Sequence, residues 1–227
     1  MFIKGDFHIH STASDGELTP KEIIQLAKEK GVDILSITDH NNVNGVDEAI
    51  KEGERLNIKV IPGVEVSTVY NGRRVHILAY FKDDRYKWSI FKELLYYIKF
   101  GKIHDIKALL GRKVDYYRCS KRLCTSSAID ILKLFGASIV LAHPGKLNRE
   151  IYKEVANLKI HGIEAKHTVH SKEDMEFFIK EAELKGLFYT GGTDFHGYKK
   201  ASKKHGIVGD TYLNDIEIQR FLKELGI

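Results

Sequence analysis

Two hydrophobic periods alternate along the chain. Short apolar runs are followed by longer stretches in which apolar residues recur every three to four positions. The first pattern is typical of a buried strand and the second of an amphipathic helix. The apolar runs predict seven strands, at residues 2–9, 32–37, 58–66, 74–81, 138–142, 162–165 and 188–190. The longer stretches predict helices at residues 20–30, 46–56, 126–135, 150–158, 172–185 and 214–225.

This repetition of strand and helix predicts an α/β fold in which parallel strands are covered by helices. Residues 83–125 interrupt the pattern, because they are rich in Lys, Tyr and Phe and carry helical patches at 88–100 and 103–110. We therefore expect one domain over residues 1–227, with residues 83–125 as a small helical insert or cap. A chain of 227 residues is long enough to bury a core without cross-links.

Composition narrows the class of protein. The chain is 43% hydrophobic and 30% charged, which is typical of a soluble globular protein and excludes a disordered chain or a collagen-like fibre. Two cysteines are too few for a disulfide scaffold. Since there is neither an apolar run of membrane-spanning length nor an apolar leader, we expect a cytoplasmic protein that makes no membrane contact. The net charge of +5 allows an anionic partner without requiring nucleic acid, and no obligate protein partner is evident.

The histidines add candidate chemistry. Eight of the eleven stand at or near the ends of predicted strands, among carboxylates. Strand alternation places His8 and His10 on one face of the first strand. The strand-end histidines are His8, His10, His40, His76, His143, His167, His170 and His196, and the acidic residues beside them are Asp6, Asp15, Asp39, Glu65, Glu164 and Asp194. His104, His161 and His205 lie outside the pattern, so we expect them to be structural or surface residues.

In a β/α barrel, the carboxyl ends of the strands converge on one active-site face. A single strand-end histidine is more often a core or surface side chain, but a whole set of imidazoles and carboxylates in one place would be costly without a cation. Imidazole and carboxylate ligands together suit Zn, Fe or Mn. The joint pattern therefore predicts a divalent metal centre, with Asp6 and Asp39 placed to orient its ligands.

Five ordered motifs, at residues 6–11, 38–41, 62–65, 142–145 and 192–197, resemble those of the PHP (polymerase and histidinol phosphatase) superfamily. The resemblance covers nearly the whole chain outside the insert. It implies a distorted seven-stranded (β/α)7 barrel that holds two to three divalent metal ions, Mn, Fe or Zn. It also implies a phosphoesterase that attacks phosphate esters with a metal-activated hydroxide.

Carried over by position, the resemblance implies three sets of metal ligands. They are His8, His10, Glu65 and Asp194 for the first ion, Glu65, His76 and His143 for the second, and Asp15, His40 and His196 for the third. The expected catalytic residues are Glu65, Asp194, His143, His167 and Asp39, and the choice of leaving-group acid stays open among His167, His170 and Asp39. Lys146, Lys166, His170, Arg73 and Arg74 are candidate substrate contacts, although Lys and Arg are more often ordinary surface charges.

Within the superfamily, the chain looks most like the compact, stand-alone phosphoesterases that act on nucleotides or short RNA ends. The expected substrates are therefore nucleoside 3′,5′-bisphosphates or the 5′ ends of short RNA. Two departures from the related sequences affect substrate contacts. The insert is short, so we expect the contacts it makes with substrate to differ or to be absent. Lys146 stands where related sequences often carry Arg, and a lysine keeps the positive charge but cannot bind phosphate in bidentate fashion.

Three alternatives stay open. The first is a histidinol-phosphatase-like enzyme for small molecules, which the sequence does not exclude. The second is a non-catalytic metal-binding module, which the complete ligand set disfavours. The third is an amide-cleaving metal hydrolase, which commonly uses a strand-borne bridging lysine, and here only Lys166 stands in such a place.

Overall fold

Strands and helices alternate along most of the chain in the computed structural model, which describes residues 2–111, 113–117, 121–199 and 205–227. The strands are β1 (Lys4–Ile9), β2 (Ile34–Ile37), β3 (Lys59–Val60), β4 (Gly63–Tyr70), β5 (Arg73–Tyr80), β6 (Tyr116–Tyr117), β7 (Arg122–Leu123), β8 (Ser138–Leu141), β9 (Gly162–His167), β10 (Phe188–Gly192) and β11 (Leu213–Asn214). The helices are α1 (Pro20–Glu29), α2 (Val46–Leu56), α3 (Ser89–Lys99), α4 (Ile103–Leu110), α5 (Thr125–Leu134), α6 (Arg149–Ala156), α7 (Lys172–Leu184) and α8 (Asp215–Leu225).

The strands form two larger sheets and one short hairpin. Their orders are β11-β1-β2-β3 and β10-β9-β8-β5-β4, and β6 pairs with β7. The two larger sheets meet at two bridges, one between Ile9 and Phe195 and one between His40 and Glu65. The fold is thus the predicted mixture of α and β, and the two bridges bring the ends of β1, β2, β4 and β10 to one place.

The prediction of parallel pairing was wrong for β5, which runs antiparallel to both β4 and β8. A tight turn at Asn71 and Gly72 causes the reversal, because φ is 45° at Asn71 and 76° at Gly72. An Asn-Gly pair with both φ values positive is the preferred two-residue hairpin turn. The predicted strand at 58–66 is also divided, because Pro62 stands between β3 and β4 and has no N–H to donate.

Helices on two sides bury β1 and fix its orientation. Ile9 is buried in one cluster with residues of α1, such as Ile23. Phe7 instead packs against Phe221 of α8, with ring centroids 4.5 Å apart. The alternate residues of β1 are left to face the site. As predicted, α1 begins at Pro20, and Thr19 caps its N-terminus in a capping box with Glu22. No helix in the described ranges is long and apolar enough to cross a membrane.

The segment at 83–125 is helical, as predicted, and contains α3, α4 and the β6–β7 hairpin. Its buried side chains, among them Phe91 and Ile106, belong to the same apolar cluster as Val66 and Val75 of the β4–β5 hairpin. The insert therefore packs on this hairpin rather than around a separate core. Cys124 is a half-buried free thiol, and Cys119 lies outside the described residues.

Candidate metal centre

The nine predicted metal ligands come together at the ends of the strands. Each is delivered by a strand or by the loop directly after one. They are His8 in β1, His10 directly after it, Asp15 in the next loop, His40 after β2, Glu65 in β4, His76 in β5, His143 after β8, and Asp194 and His196 after β10. Except for Asp15, His40 and His76, these residues are buried.

Glu65 lies at the middle of this cluster. Five imidazole nitrogens lie within 3.5 Å of its carboxylate: His76 Nδ1 (2.9 Å), His143 Nε2 (3.1 Å) and His8 Nε2 (3.5 Å) at Oε1, and His40 Nδ1 (3.0 Å) and His10 Nε2 (3.3 Å) at Oε2. Burial by itself would raise the pKa of Glu65, but the surrounding imidazoles, His76 first, hold that pKa well below its usual value. An ionised carboxylate with imidazoles at both oxygens is suited to bridge two cations.

Asp194 closes the opposite side of the cluster. Its Oδ1 lies 3.4 Å from His8 Nε2 and 3.3 Å from His10 Nε2. Its Oδ2 lies 2.9 Å from Lys146 Nζ and 3.4 Å from His167 Nε2. The backbone of Asp194 has a φ of 54°. Positive φ is uncommon outside glycine and concentrates at functional sites, where the surrounding structure holds it.

The donor atoms fit divalent metal ions. His10 Nδ1, His40 Nδ1, Glu65 Oε2 and His167 Nε2 are buried and make no hydrogen bond of acceptable geometry within the described residues, although His40 Nδ1 lies 3.0 Å from Glu65 Oε2. Unsatisfied buried polar atoms are costly, so a cluster of them indicates an ion. Five sets of donors in the described part of the chain each lie within 4.8 Å of one another: His8, His10 and Asp194; His40, Glu65 and His76; His10, Asp15, His40 and His196; His8, Glu164 and His167; and Asp194, His196 and His205.

Glu164, to which the sequence analysis gave no role, supports the cluster from behind. Its Oε1 lies 2.8 Å from His8 Nδ1, and its Oε2 accepts a hydrogen bond of 2.7 Å from the backbone N–H of His143. Burial opposes ionisation, but the charge of His8 lowers the pKa of Glu164 to about 2. With Nδ1 bound to Glu164, the other ring nitrogen of His8 faces the cluster. The place of Glu164 in a strand-end motif ahead of His167 was the signal that could have found this residue. Alternation alone would group Glu164 with Lys166, but the ladder between β9 and β10 has an irregularity between Glu164 and Lys166.

Asp6 and Asp39 also lie beside the ligands, where we expected orienting residues. Asp6 accepts hydrogen bonds from Thr193 Oγ1 at 2.7 Å and from the Gly209 backbone at 3.0 Å. Burial raises the pKa of Asp6 to about 6, and these hydrogen bonds oppose the rise. Asp39 accepts hydrogen bonds from the backbone and the hydroxyl of Ser11, at 2.8 and 2.6 Å. Both carboxylates therefore hold the loops that follow β1 and β10.

The candidate substrate contacts divide into two groups. Arg74 and Lys146 line a cavity of about 530 Å³ that opens over the cluster. Lys166 instead lies 2.6 Å from Glu217 Oε1 on α8. Both ring nitrogens of His170 are engaged by backbone, Nε2 by the Gly145 N–H and Nδ1 by the Ala165 carbonyl. Alternation along β5 turns Arg73 to the face opposite Arg74.

His205 does not fit the structural or surface role expected for it. Its Nδ1 lies 3.4 Å from Asp194 Oδ2, its ring centroid lies 4.6 Å from that of His196, and its side chain lines the cavity. No sequence pattern indicated this placement, because His205 follows no predicted strand. The cluster thus includes one imidazole, that of His205, which the positions of the predicted strand ends do not indicate.

Comparison with known proteins agrees with this geometry. A 3′,5′-nucleoside bisphosphate phosphatase from Chromobacterium violaceum is 24% identical over 90% of this chain and 91% of its own length. A phosphoribosyl 1,2-cyclic phosphate 1,2-diphosphodiesterase from Eggerthella lenta is 25% identical over 85% of this chain and 94% of its own length. A 5′-3′ exoribonuclease from Haemophilus influenzae is 45% identical, but the match spans only 35% of this chain and 29% of that protein.

The fold agrees as well. The crystal structure of a protein described as a metal-dependent phosphoesterase from Bifidobacterium adolescentis superimposes with a TM-score of 0.77 at 19% identity, covering 97% of this chain and 96% of that one. The family model of the PHP domain matches residues 6–180 of this chain. The chain therefore belongs to the PHP family and is a metal-dependent phosphoesterase.

Proposed function

We propose that the substrates of this phosphoesterase are phosphate esters of nucleotides, such as nucleoside 3′,5′-bisphosphates, or the 5′ ends of short RNA. The observation that carries the proposal is the cavity above the metal cluster, which is lined by the cationic side chains of Arg74 and Lys146. Charge-assisted hydrogen bonds from such groups suit phosphate oxygens. The names of the relatives from C. violaceum and H. influenzae support this class of substrate.

The same geometry supports the finer details of cofactor and fold. We infer that the cluster holds two to three divalent ions, Mn, Fe or Zn, bound by the nine residues carried over from the PHP motifs. We also infer that the two sheets close into a distorted seven-stranded barrel within a single domain over residues 1–227. The bridges Ile9–Phe195 and His40–Glu65, at the two seams between the sheets, support that closure.

The residues around the cluster have distinct roles in the proposed hydrolysis of a phosphate ester. The strand-end histidines and carboxylates would hold divalent ions, and such ions would lower the pKa of a water molecule and neutralise charge on the phosphate. Glu65 and Asp194 supply the carboxylates of the site, and Glu164 fixes the ring orientation of His8. Lys146, which lies 2.9 Å from Asp194 Oδ2, is placed to bind a phosphate oxygen at the edge of the cluster.

Protonation of the leaving group is the least constrained role. Of the three candidates, His170 and Asp39 have their polar atoms held in hydrogen bonds to the protein. His167 differs, because its Nε2 has no hydrogen-bond partner in the described part of the chain and lies 3.4 Å from Asp194 Oδ2. We therefore favour His167 among the three.

A substrate panel tests the proposal. With added Mn²⁺, phosphate release is measured from a nucleoside 3′,5′-bisphosphate, a short 5′-phosphorylated RNA, histidinol phosphate and an aryl phosphate. We expect the highest kcat/KM for one of the two nucleotide substrates. A higher kcat/KM for histidinol phosphate would contradict the proposed substrate class and assign the chain to small-molecule phosphatases.

A further inference from the structure

Neither the PHP motifs nor the proposed hydrolysis gives a role to His205, although its side chain lies at the metal centre. This half-buried imidazole lines the cavity above the cluster together with Asp15, His40 and His196. Those three residues are the set expected for the third ion, and they offer two imidazoles and one carboxylate. Since proteins that hold Zn²⁺ firmly usually supply four donors, a further imidazole beside these three bears on how tightly that ion is held.

One backbone carbonyl orients both His196 and His205. The Nδ1 atoms of the two rings lie 2.8 and 2.9 Å from the carbonyl oxygen of Asp194. Because a carbonyl oxygen only accepts hydrogen bonds, Nδ1 donates in each ring and Nε2 keeps its lone pair. Histidines that bind metal typically donate their other ring N–H to such a group, which fixes the tautomer. His205 thus has the same orienting contact as His196, one of the nine expected ligands.

The backbone around His205 is held against the end of β10. The N–H of Gly206 donates a hydrogen bond of 3.0 Å to the carbonyl of Thr193, the residue before Asp194. Thr168 Oγ1 donates to the same carbonyl at 3.2 Å. The position of His205 beside Asp194 is therefore set by the main chain as well as by the hydrogen bond of its own ring.

The rings of His196 and His205 are close enough to bind one ion. Their centroids lie 4.6 Å apart, and their planes meet at 59°, so the rings do not stack face to face. His196 belongs to two groups whose donor atoms lie within 4.8 Å of one another, namely Asp194, His196 and His205, and His10, Asp15, His40 and His196. His205 is therefore a direct neighbour of the ligands expected for the third ion.

We propose that His205 is a further ligand of the third ion and binds it through Nε2, beside Asp15, His40 and His196. The inference rests on the proposed function, which places two to three ions in the cluster. With His205 the set offers three imidazoles and one carboxylate, which suits Zn²⁺ or Co²⁺ better than an ion that prefers oxygen ligands. His205 thus raises the affinity of the third position and biases which metal it takes.

Titration with Co²⁺ tests this role, because the visible absorption of bound Co²⁺ depends on its ligands. Metal-free wild type, His205→Ala and His104→Ala are titrated by calorimetry and by absorption, with the exposed His104 of α4 as the matched control. In His205→Ala we expect the Kd of one Co²⁺ ion to rise at least about tenfold, since losing even a group that only orients a ligand costs about 10- to 100-fold. The absorption of that ion changes, while the other ions bind as in wild type.

Added imidazole separates metal binding from a structural role. The cavity opens at His205, so free imidazole can enter the space left in His205→Ala, and we expect it to restore Co²⁺ affinity and absorption. His104→Ala in the same imidazole gives the background. Unchanged Co²⁺ affinity in His205→Ala, or a loss that imidazole does not restore, would overturn the inference. If His205→Ala fails to fold, His205→Gln, which is closer in size, replaces it in the titration.

These measurements need no turnover, so they test His205 separately from the proposed function. If wild type hydrolyses no substrate of the panel, the proposed function fails, and the Co²⁺ titrations still decide the role of His205. A raised KM in His205→Ala at unchanged Co²⁺ affinity would also overturn the inference, because His205 would then contact the substrate and not the ion.

Discussion

The carboxylates around the metal centre differ in which atoms they contact. Glu65 and Asp194 face the imidazoles of the cluster, whereas Glu164 contacts His8 and His143 from behind. A carboxylate that orients a ligating histidine fixes the ring and its tautomer. Glu164 therefore acts on metal binding through other residues.

Replacing Glu164 tests this positioning role. We expect Glu164→Gln to weaken metal affinity about 10- to 100-fold, because the His8 ring loses its charged partner. Metal titration followed by calorimetry measures the effect, with Glu176→Gln on the exposed side of α7 as the control. Wild-type metal affinity in Glu164→Gln would show that this carboxylate does not position His8.

The ammonium group of Lys166 forms an ion pair with Glu217 and does not lie at the cluster, so its replacement should affect stability. Glu217 also accepts a hydrogen bond from Tyr189 OH at 2.9 Å. In Lys166→Met the partly buried carboxylate of Glu217 loses its cationic partner, so we expect the free energy of unfolding to fall by about 1–2 kcal/mol in urea titrations. A raised KM at unchanged stability would instead return Lys166 to the substrate site.

Much of the site at residue scale was predictable from sequence. Strand ends and alternation were enough to place His8, His10 and Glu65 in one cluster. Two candidate substrate contacts, Arg73 and Lys166, do not face the cluster. Each is next in sequence to a residue of the site, but its side chain lies on the other face of the strand. His205 was out of reach, because it follows no predicted strand.

At the scale of elements, the approach of β10 to β1 sets the geometry of the cluster. A Cβ atom at Gly192 would lie 2.5 Å from both Cβ and the backbone N of His8. Only a glycine allows the two strands to approach so closely. Gly192 is therefore required by packing as well as by the motif.

Gly192→Ala tests this close approach. We expect it to displace His8, weaken metal binding, and lower the free energy of unfolding by about 1–3 kcal/mol. Gly186→Ala is the matched control, because φ there is +64° but nothing lies within 4 Å of the new Cβ. That control should cost about 1 kcal/mol and leave metal affinity intact. Equal metal affinity in the two variants, measured by titration, would contradict the argument.

The elements themselves were largely predictable, but their pairing was not. The hydrophobic period gave the positions of α1, α2 and β1. It carries no information on strand direction, so the β4–β5 hairpin was missed although Asn71-Gly72 is a strong hairpin signal. Strand order and the split into two sheets depend on long-range contacts that no local pattern records.

At the scale of the whole molecule, the metal centre joins strands from both sheets. Binding of an ion to the folded state alone stabilises it by about 2.7 kcal/mol when the ion is present at 100 times its Kd. We therefore expect chelation with EDTA to lower Tm and Mn²⁺ to restore it. Scanning calorimetry measures the shift, and a Tm that is independent of metal would contradict a site that links the two sheets.

The central claim is that this cluster is the catalytic metal centre of a phosphoesterase, and Asp194 offers the most direct test. Phosphate release from a nucleoside 3′,5′-bisphosphate is measured with and without Mn²⁺ in wild type and in Asp194→Asn. The metal content of both proteins is measured as well. We predict that turnover by wild type requires Mn²⁺. In Asp194→Asn we predict that turnover falls by at least about 10²-fold and that the protein binds less metal. Turnover that persists in Asp194→Asn, or in metal-free wild type, would contradict the account.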